Sequence, residues 1–291
     1  MKLISRIVID VVSLIDKTLV RLSLIKPRVI IWMDGGICSQ MHKFLCGEYY
    51  AENGIDVYYD LEWFESWGKD MNGVFDRKYE LQKLFPNLVV NTMSKRKTAF
   101  YWRFLRYSKI HCELPPVSEI NRSIYFNGHN HLKQEDLNHL FTKCFSLSSM
   151  FVRKELLLDN LVGKREVCGV HVRRGDLADV KLRNYNPMPD WYFEQAIKYV
   201  QQHYDNVLFL FFSDEPEYVE QNILPSVRCE YKVIRGNKAY EDLALLAQCP
   251  IIISSQGSFG RYAAMLNANC KLVISNSQIS PMLAQEVKVI M

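Results

Sequence analysis

The chain has 291 residues, 48% of them hydrophobic and 12% aromatic, which is enough for two domains of about 100–150 residues with buried cores. Its formal net charge of +4 is too small to argue for a nucleic-acid partner, and none is expected. Cys38, Cys46, Cys112, Cys144, Cys168, Cys229, Cys249 and Cys270 form no CxxC pair and no Cys/His cluster with zinc spacing, so they read as reduced core residues of a cytosolic protein.

The first predicted element is an amphipathic helix within residues 1–28. Leu3, Ile4, Ile7, Val8, Val11, Val12, Ile15, Leu19 and Leu22 recur close to a 3.6-residue period. Lys2, Arg6, Lys17, Arg21, Lys26 and Arg28 outnumber Asp10 and Asp16 by four, so residues 29–291 are formally neutral. No apolar run reaches the ~18 residues of a membrane span. Asp10 and Asp16 interrupt the apolar stretch and no small-residue cleavage site follows, which argues against a signal peptide. Two readings stay open: an interfacial helix on the anionic inner face of the cytoplasmic membrane, or a helix packed on the protein body or a partner subunit.

Pro27 should end this helix, and "RVIIWM" follows as a strand. "DGG" is a turn, Ser39 to about Asn53 is a helix closed by Gly54, and "IDVYYDL" is a second strand, which makes one βαβ unit. Beyond it, "ELQKLFPNLVV" reads as a helix and then a strand, and "SIYFNGHNHLK" as a strand running into a loop. "SKRKTAFYWRFLRYSK" interleaves basic and aromatic residues: either a surface for an anionic acceptor, or an aromatic core face with snorkelling cations. From residue 166 the alternation is regular. "EVCGVHV", "NVLFLFF", "EYKVIR", "PIIIS" and "KLVIS" are strands, separated by helices at 190–203, "EPEYVEQNI" and "YEDLALLAQ", with Asp190 and Ser258 as expected helix caps. Apolar strands alternating with amphipathic helices predict an α/β protein with parallel, doubly wound sheets. Two Rossmann-like domains follow, 29–155 and 156–291, with a cleft between them.

Ligands of such sheets bind beyond the carboxyl ends of the strands. Four polar clusters fall there: "DGGICSQ" with Gly35, Gly36 and Gln40; "HVRRGD" with His171, Arg173, Arg174 and Asp176; "SDE" with Ser213 and Asp214; and "SSQGSFGR" with Ser255, Ser258 and Phe259. Paired arginines, glycine turns and a helix N-terminus favour a phosphate or diphosphate. There is no GxGxxG fingerprint, no P-loop and no DxD motif, so arginine and backbone N–H groups are expected to neutralise the diphosphate in place of a metal. Blander readings exist for each: a structural ion pair of the arginines with Asp176 or another carboxylate, a core histidine at 171, and a solvent-facing Asp242. The RGD tripeptide at a cytosolic strand end reads as coincidence.

"VHVRRGD" resembles the hallmark of the α-1,2-fucosyltransferases, glycosyltransferase family 11, within a wider superfamily sharing an HxRR motif. "GGICSQMHKF", "DWYFEQAIKYV", "LFLFFSDEPEYVEQNI" and "EDLALLAQCPIIISSQGSFGRYAAMLN" resemble further segments of that family in the same order, over residues 29–275. "GICS" lacks a glycine and an asparagine of the family's first motif, "SFGRY" departs from SFSWW towards the α-1,6 branch, and "GHNHLK" replaces the family's GYWQSE-like segment.

The resemblance implies a GT-B architecture, with 29–155 as the acceptor domain and 156–291 as the GDP-fucose-binding domain, GDP-β-L-fucose as donor, inversion to an α-fucoside and no required metal or other cofactor. The acceptor would be a sugar hydroxyl, with galactose in α-1,2 linkage the family's usual product, on a glycan such as a lipid-carried O-antigen repeat. Arg173 would neutralise the β-phosphate. His171 and Asp242 would contact guanine or ribose, and Ser255, Ser258 and Phe259 the diphosphate and fucose. Arg174 would support the loop. Asp176 is a candidate base or orienter, with Asp179 and Asp214 as rivals. A transferase of another linkage or nucleotide sugar, and a non-catalytic nucleotide-binding protein, are the competing readings.

Overall fold

The computed structural model describes residues 2–69, 73, 75–107, 109, 112–127, 130–162, 165–178, 186–276 and 286–290. In chain order its regular elements are α1 (Lys2–Arg21), β1 (Arg28–Trp32), α2 (Ile37–Ala51), β2 (Asp56–Asp60), α3 (Glu62–Ser66), α4 (Leu81–Leu84), α5 (Lys95–Phe104), β3 (Ile124–Phe126), α6 (Gln134–Cys144), α7 (Leu158–Val162), β4 (Val167–Val172), α8 (Asp190–His203), β5 (Leu208–Ser213), α9 (Pro216–Tyr218), β6 (Glu230–Val233), α10 (Ala239–Leu246), β7 (Ile251–Ser254), α11 (Ser258–Leu266), β8 (Leu272–Ser275) and β9 (Glu286–Val289). The expected α/β class holds: every strand pairing in both sheets is parallel. Among the described residues, no helix is long and apolar enough to cross a membrane.

The chain forms two compact units. Unit 2 comprises residues 70–75, 80–87 and 145–291 and holds a six-stranded sheet in the order β6-β5-β4-β7-β8-β9. Its central strands are buried on both faces, as near-continuous apolar runs require. Val170, Phe209, Phe211, Ile251, Ile253 and Ile274 pack with Tyr192, Phe193 and Ile197 of α8. Residues 145–155 and 80–87 join this unit because Phe145 packs its ring against Phe85 and the Phe151 N–H donates to the Leu84 carbonyl at 2.7 Å.

Unit 1 comprises residues 1–69, 76–79 and 88–144 around a three-stranded sheet in the order β2-β1-β3. The strand expected after "FPN" shrinks to a single bridge between Thr92 and Tyr59. The first helix ends at Arg21, short of Pro27, where Ser23 turns the chain with φ 55°. One face of α1 packs on this unit. Val12 joins Ile30, Tyr101, Leu105 and Tyr125, and the Asp16 carboxylate accepts from the Ser123 N–H at 2.6 Å and hydroxyl at 3.1 Å. A second apolar strip of the same helix, Ile7, Val8, Val11, Leu14 and Ile15, stays 44–64% exposed. The sequence pattern merged these two strips into one face.

Both expected helix caps are displaced by one residue. Pro189 occupies the cap of α8, and Asp190 instead accepts a hydrogen bond from the Tyr218 hydroxyl at 3.0 Å. Gly257 precedes α11 with φ 98°, a conformation a serine would adopt only under strain, so Ser258 begins the helix instead of capping it.

Candidate functional site

Strands β4, β5 and β7 are neighbours in the sheet of unit 2, so the segments leaving their carboxyl ends meet. Arg173 follows β4 directly. Its backbone N–H donates to the Ser255 hydroxyl at 2.9 Å, just past β7, and the Ser255 N–H donates back to the His171 carbonyl at 3.2 Å. The Arg173 guanidinium lies between two carboxylates, ion-paired through one terminal nitrogen to Asp176 and through the other to Asp214. A guanidinium carries its N–H donors in a planar fork, so the two pairings fix its plane.

Asp214 works twice. Its other oxygen accepts the Arg174 backbone N–H at 2.9 Å, which fixes the turn after β4. Gly175 is required in that turn: φ is +36°, and a Cβ there would sit 2.5 Å from the Asp214 carboxylate. Ser213 ties β5 to β4 by donating to the Val172 carbonyl at 2.8 Å and accepting the Glu215 N–H at 3.0 Å. The Arg174 side chain points elsewhere, to Glu215 at 3.1 Å and over the Tyr218 ring at 3.2 Å from its centroid. The two arginines therefore have different partners and are not equivalent in their surroundings.

His171 is buried against Phe259, their rings stacked at 4.9 Å. Burial, assisted by the Arg173 charge, pushes the imidazole down to about 3, so it is neutral at neutral pH. The Ser255 hydroxyl, which accepts from the Arg173 N–H, also hydrogen-bonds His171 Nδ1 at 3.1 Å. The site thus sets a neutral imidazole beside a guanidinium.

Asp242 lies on the first turn of α10, where Asn237 donates to it at 2.9 Å. Burial raises its carboxyl to about 6, against the Asn237 hydrogen bond and with help from Glu241. Ser258 is exposed on the first turn of α11. Asp179 lies outside the described residues. Gly35, Gly36 and Gln40 belong to unit 1. Gly36 precedes α2, and the buried Gln40 amide donates to the Gly35 carbonyl at 3.1 Å and the Lys78 carbonyl at 2.8 Å, a brace for the β1–α2 turn. Sequence reasoning missed Glu215 and Tyr218 as the anchors of Arg174; both stand inside "SDEPEY", but nothing in that string marks them as partners of a residue some forty positions earlier.

The family model described as glycosyl transferase family 11 matches residues 79–289, most of the chain and the whole of this cluster. The chain belongs to glycosyl transferase family 11. It is a glycosyltransferase. Among curated proteins it is similar to an α-1,2-colitosyltransferase of Escherichia coli, 25% identical over 82% of this chain and 87% of that one. It is also similar to galactoside α-(1,2)-fucosyltransferase 1 of Saimiri sciureus, 26% identical over 60% of this chain and 46% of that one, and to the Homo sapiens enzyme of the same name, 30% identical over 38% and 32%. The match therefore spans less than half of those two fucosyltransferases. Solved structures with similarity include the Bradyrhizobium fucosyltransferase NodZ (16% identity, 84% of this chain and 94% of that one, TM-score 0.47) and Escherichia coli ADP-heptose heptosyltransferase II (13%, 91% and 90%, 0.47).

Proposed function

We propose that this family 11 enzyme transfers L-fucose from GDP-β-L-fucose to a sugar hydroxyl, galactose in α-1,2 linkage, with inversion and without a metal. The observation that carries the reading is the Arg173 guanidinium held between Asp176 and Asp214 at the carboxyl end of β4, next to Ser255 and neutral His171. In the reaction the acceptor oxygen attacks fucose C1, the bond from C1 to the β-phosphate oxygen breaks, and GDP departs with the electron pair. Arg173 meets charge that grows on that phosphate, so its effect is larger in the transition state than on bound donor. The neutral His171 imidazole and the Ser258 hydroxyl supply hydrogen bonds to the nucleotide, Phe259 packs beside them, and Asp242 accepts from guanine or ribose. One oxygen of Asp176 pairs with Arg173, which supports reading it as an orienter of that arginine. The proton of the acceptor hydroxyl passes to a carboxylate or to water.

Replacing Arg173 by Ala should lower transfer more than about 100-fold with the fold intact. Activity within about tenfold of wild type, about 1.4 kcal/mol, would sink the assignment. A second donor has support in the colitosyltransferase similarity, which runs over most of both chains. Colitose is fucose without its 3-hydroxyl, and turnover of a panel of GDP- and UDP-sugars separates these readings.

The exposed strip on α1, with Arg6, Lys17 and Arg21 also exposed, supports peripheral contact with an anionic membrane and an acceptor on a lipid carrier such as an O-antigen repeat. Salt-sensitive binding to phosphatidylglycerol vesicles, weakened by Leu14→Gln, is expected; no binding at low salt overturns this contact.

A further inference from the structure

Unit 1 has its own cavity, of about 540 Å³, at the carboxyl ends of its strands. Trp32 ends β1, Asp60 ends β2 and Tyr125 comes from β3. Glu62 and Glu65 of α3 and Lys95 and Trp102 of α5 line it as well. The volume lies inside the ~300–1,000 Å³ range of small-molecule sites.

Its chemistry is opposite to that of the arginine cluster. The buried Asp60 is fixed in place: one oxygen accepts the Tyr125 hydroxyl at 2.6 Å, the other the Glu62 backbone N–H at 2.9 Å. Lys95 is spent on ion pairs with Glu65 at 2.6 Å and Glu62 at 3.2 Å. Three carboxylates against one paired lysine repel a phosphate or diphosphate. Two indoles and two phenols line the same cavity. Aromatic faces carry negative potential and attract the weakly positive C–H face of a pyranose, while carboxylate oxygens accept its hydroxyl protons. A neutral sugar satisfies both surfaces, and an anion satisfies neither.

We infer that this cavity is a subsite for a neutral pyranose of the acceptor glycan, with Trp102 as stacking wall and Asp60 as hydroxyl acceptor. The inference rests on the reading of the acceptor as a glycan and gives it residues. Trp102 is 46% exposed and Thr98 and Tyr101 are the buried residues of α5, so the indole can be removed without emptying the core.

The test is saturation-transfer NMR on the full chain with methyl glycosides of galactose, N-acetylglucosamine and lactose, no donor present, followed by transfer kinetics. At least one neutral glycoside is expected to receive saturation from wild type, to lose it with Trp102→Ala and to regain most of it with Trp102→Phe, all three melting alike. Acceptor KM should rise at least tenfold in Trp102→Ala, with donor KM and donor hydrolysis unchanged. Equal saturation transfer in wild type and Trp102→Ala, competition by inorganic diphosphate, or no binding of any neutral glycoside overturns the inference. Sugar binding that depends on Trp102 in a protein that does not turn over GDP-fucose supports the subsite and overturns the donor assignment instead.

Discussion

The two units use the same topological position for opposite chemistry. In unit 2 the carboxyl ends of β4, β5 and β7 gather arginine, hydroxyls and a neutral imidazole. In unit 1 the carboxyl ends of β1 and β2 gather tryptophan and carboxylates. A parallel sheet opens a ligand position at that end wherever strands and crossover helices repeat. The side chains placed there set the charge that position will accept. The difference assigns anion chemistry to one unit and neutral, hydroxyl-rich chemistry to the other. Burial differs too: β4 and β7 of unit 2 are buried along their whole length, while β1 and β2 alternate or end half-exposed.

Arg173→Lys is the strongest way to break the contrast from the unit 2 side. An ammonium keeps the charge but cannot span Asp176 and Asp214 in one plane while still facing a phosphate. Transfer should fall about 100-fold, with acceptor binding to Trp102 untouched. Steady-state kinetics with both substrates varied reads this; a loss confined to acceptor KM would mean that Arg173 serves the acceptor.

Ser255→Ala comes next. It strands the part-buried Arg173 N–H and leaves the buried His171 Nδ1 without its hydroxyl partner. The expected cost is about 1–3 kcal/mol of folding stability, with donor KM raised by misplacement of the imidazole. Equilibrium denaturation checks the first effect. A variant as stable as wild type would show that water replaces the hydroxyl.

Much of unit 2 was legible because burial on both faces demands continuous apolar strands. Runs such as "NVLFLFF" and "PIIIS" have no other reading in an alternating pattern. β9 escaped because "EVKV" carries an exposed Lys288 and lies at the edge of the sheet. Three of the four expected polar clusters, those after β4, β5 and β7, were legible as a set because these strands are neighbours in one sheet; the "DGGICSQ" cluster belongs to unit 1. Their pairings were not: Arg173 and Asp214 stand far apart in sequence, and only the register of β4 on β5 brings them into contact. The aromatic–basic stretch on α5 split between the two readings offered for it. Thr98, Tyr101 and Leu105 take the inward arc, while Phe100 and Trp102 remain exposed. A 3.6-residue period places 98, 101 and 105 on one face, but the string does not say which of three arcs meets the sheet.

The smallest expected effect isolates Asp242, a unit 2 carboxyl group whose ionisation the fold resists. Asp242 has a folded value of about 6 against 3.8 in the open chain, raised first by burial. Its protonated form is favoured in the native state. The stabilisation this gives is complete below about pH 4 and is lost as pH rises through about 6. At pH 8 the folded protein therefore carries a buried carboxylate at a net cost. Asp242→Asn removes that cost and keeps an oxygen for the Asn237 amide, so stability should rise by on the order of 1 kcal/mol at pH 8. The gain should shrink towards zero as pH falls through 6. His171 has the opposite sign: its value of about 3 lies below the 6.5 of the open chain, so its contribution is lost as pH falls from 6.5 towards 3. Subtracting the Asp242→Asn curve from the wild-type curve cancels the histidine and leaves Asp242 alone. If the difference in thermal midpoint is flat between pH 5 and 8, the carboxylate is not strained. If the gain appears together with a loss of donor affinity, the fold is tolerating an ionised Asp242 for the sake of its ligand.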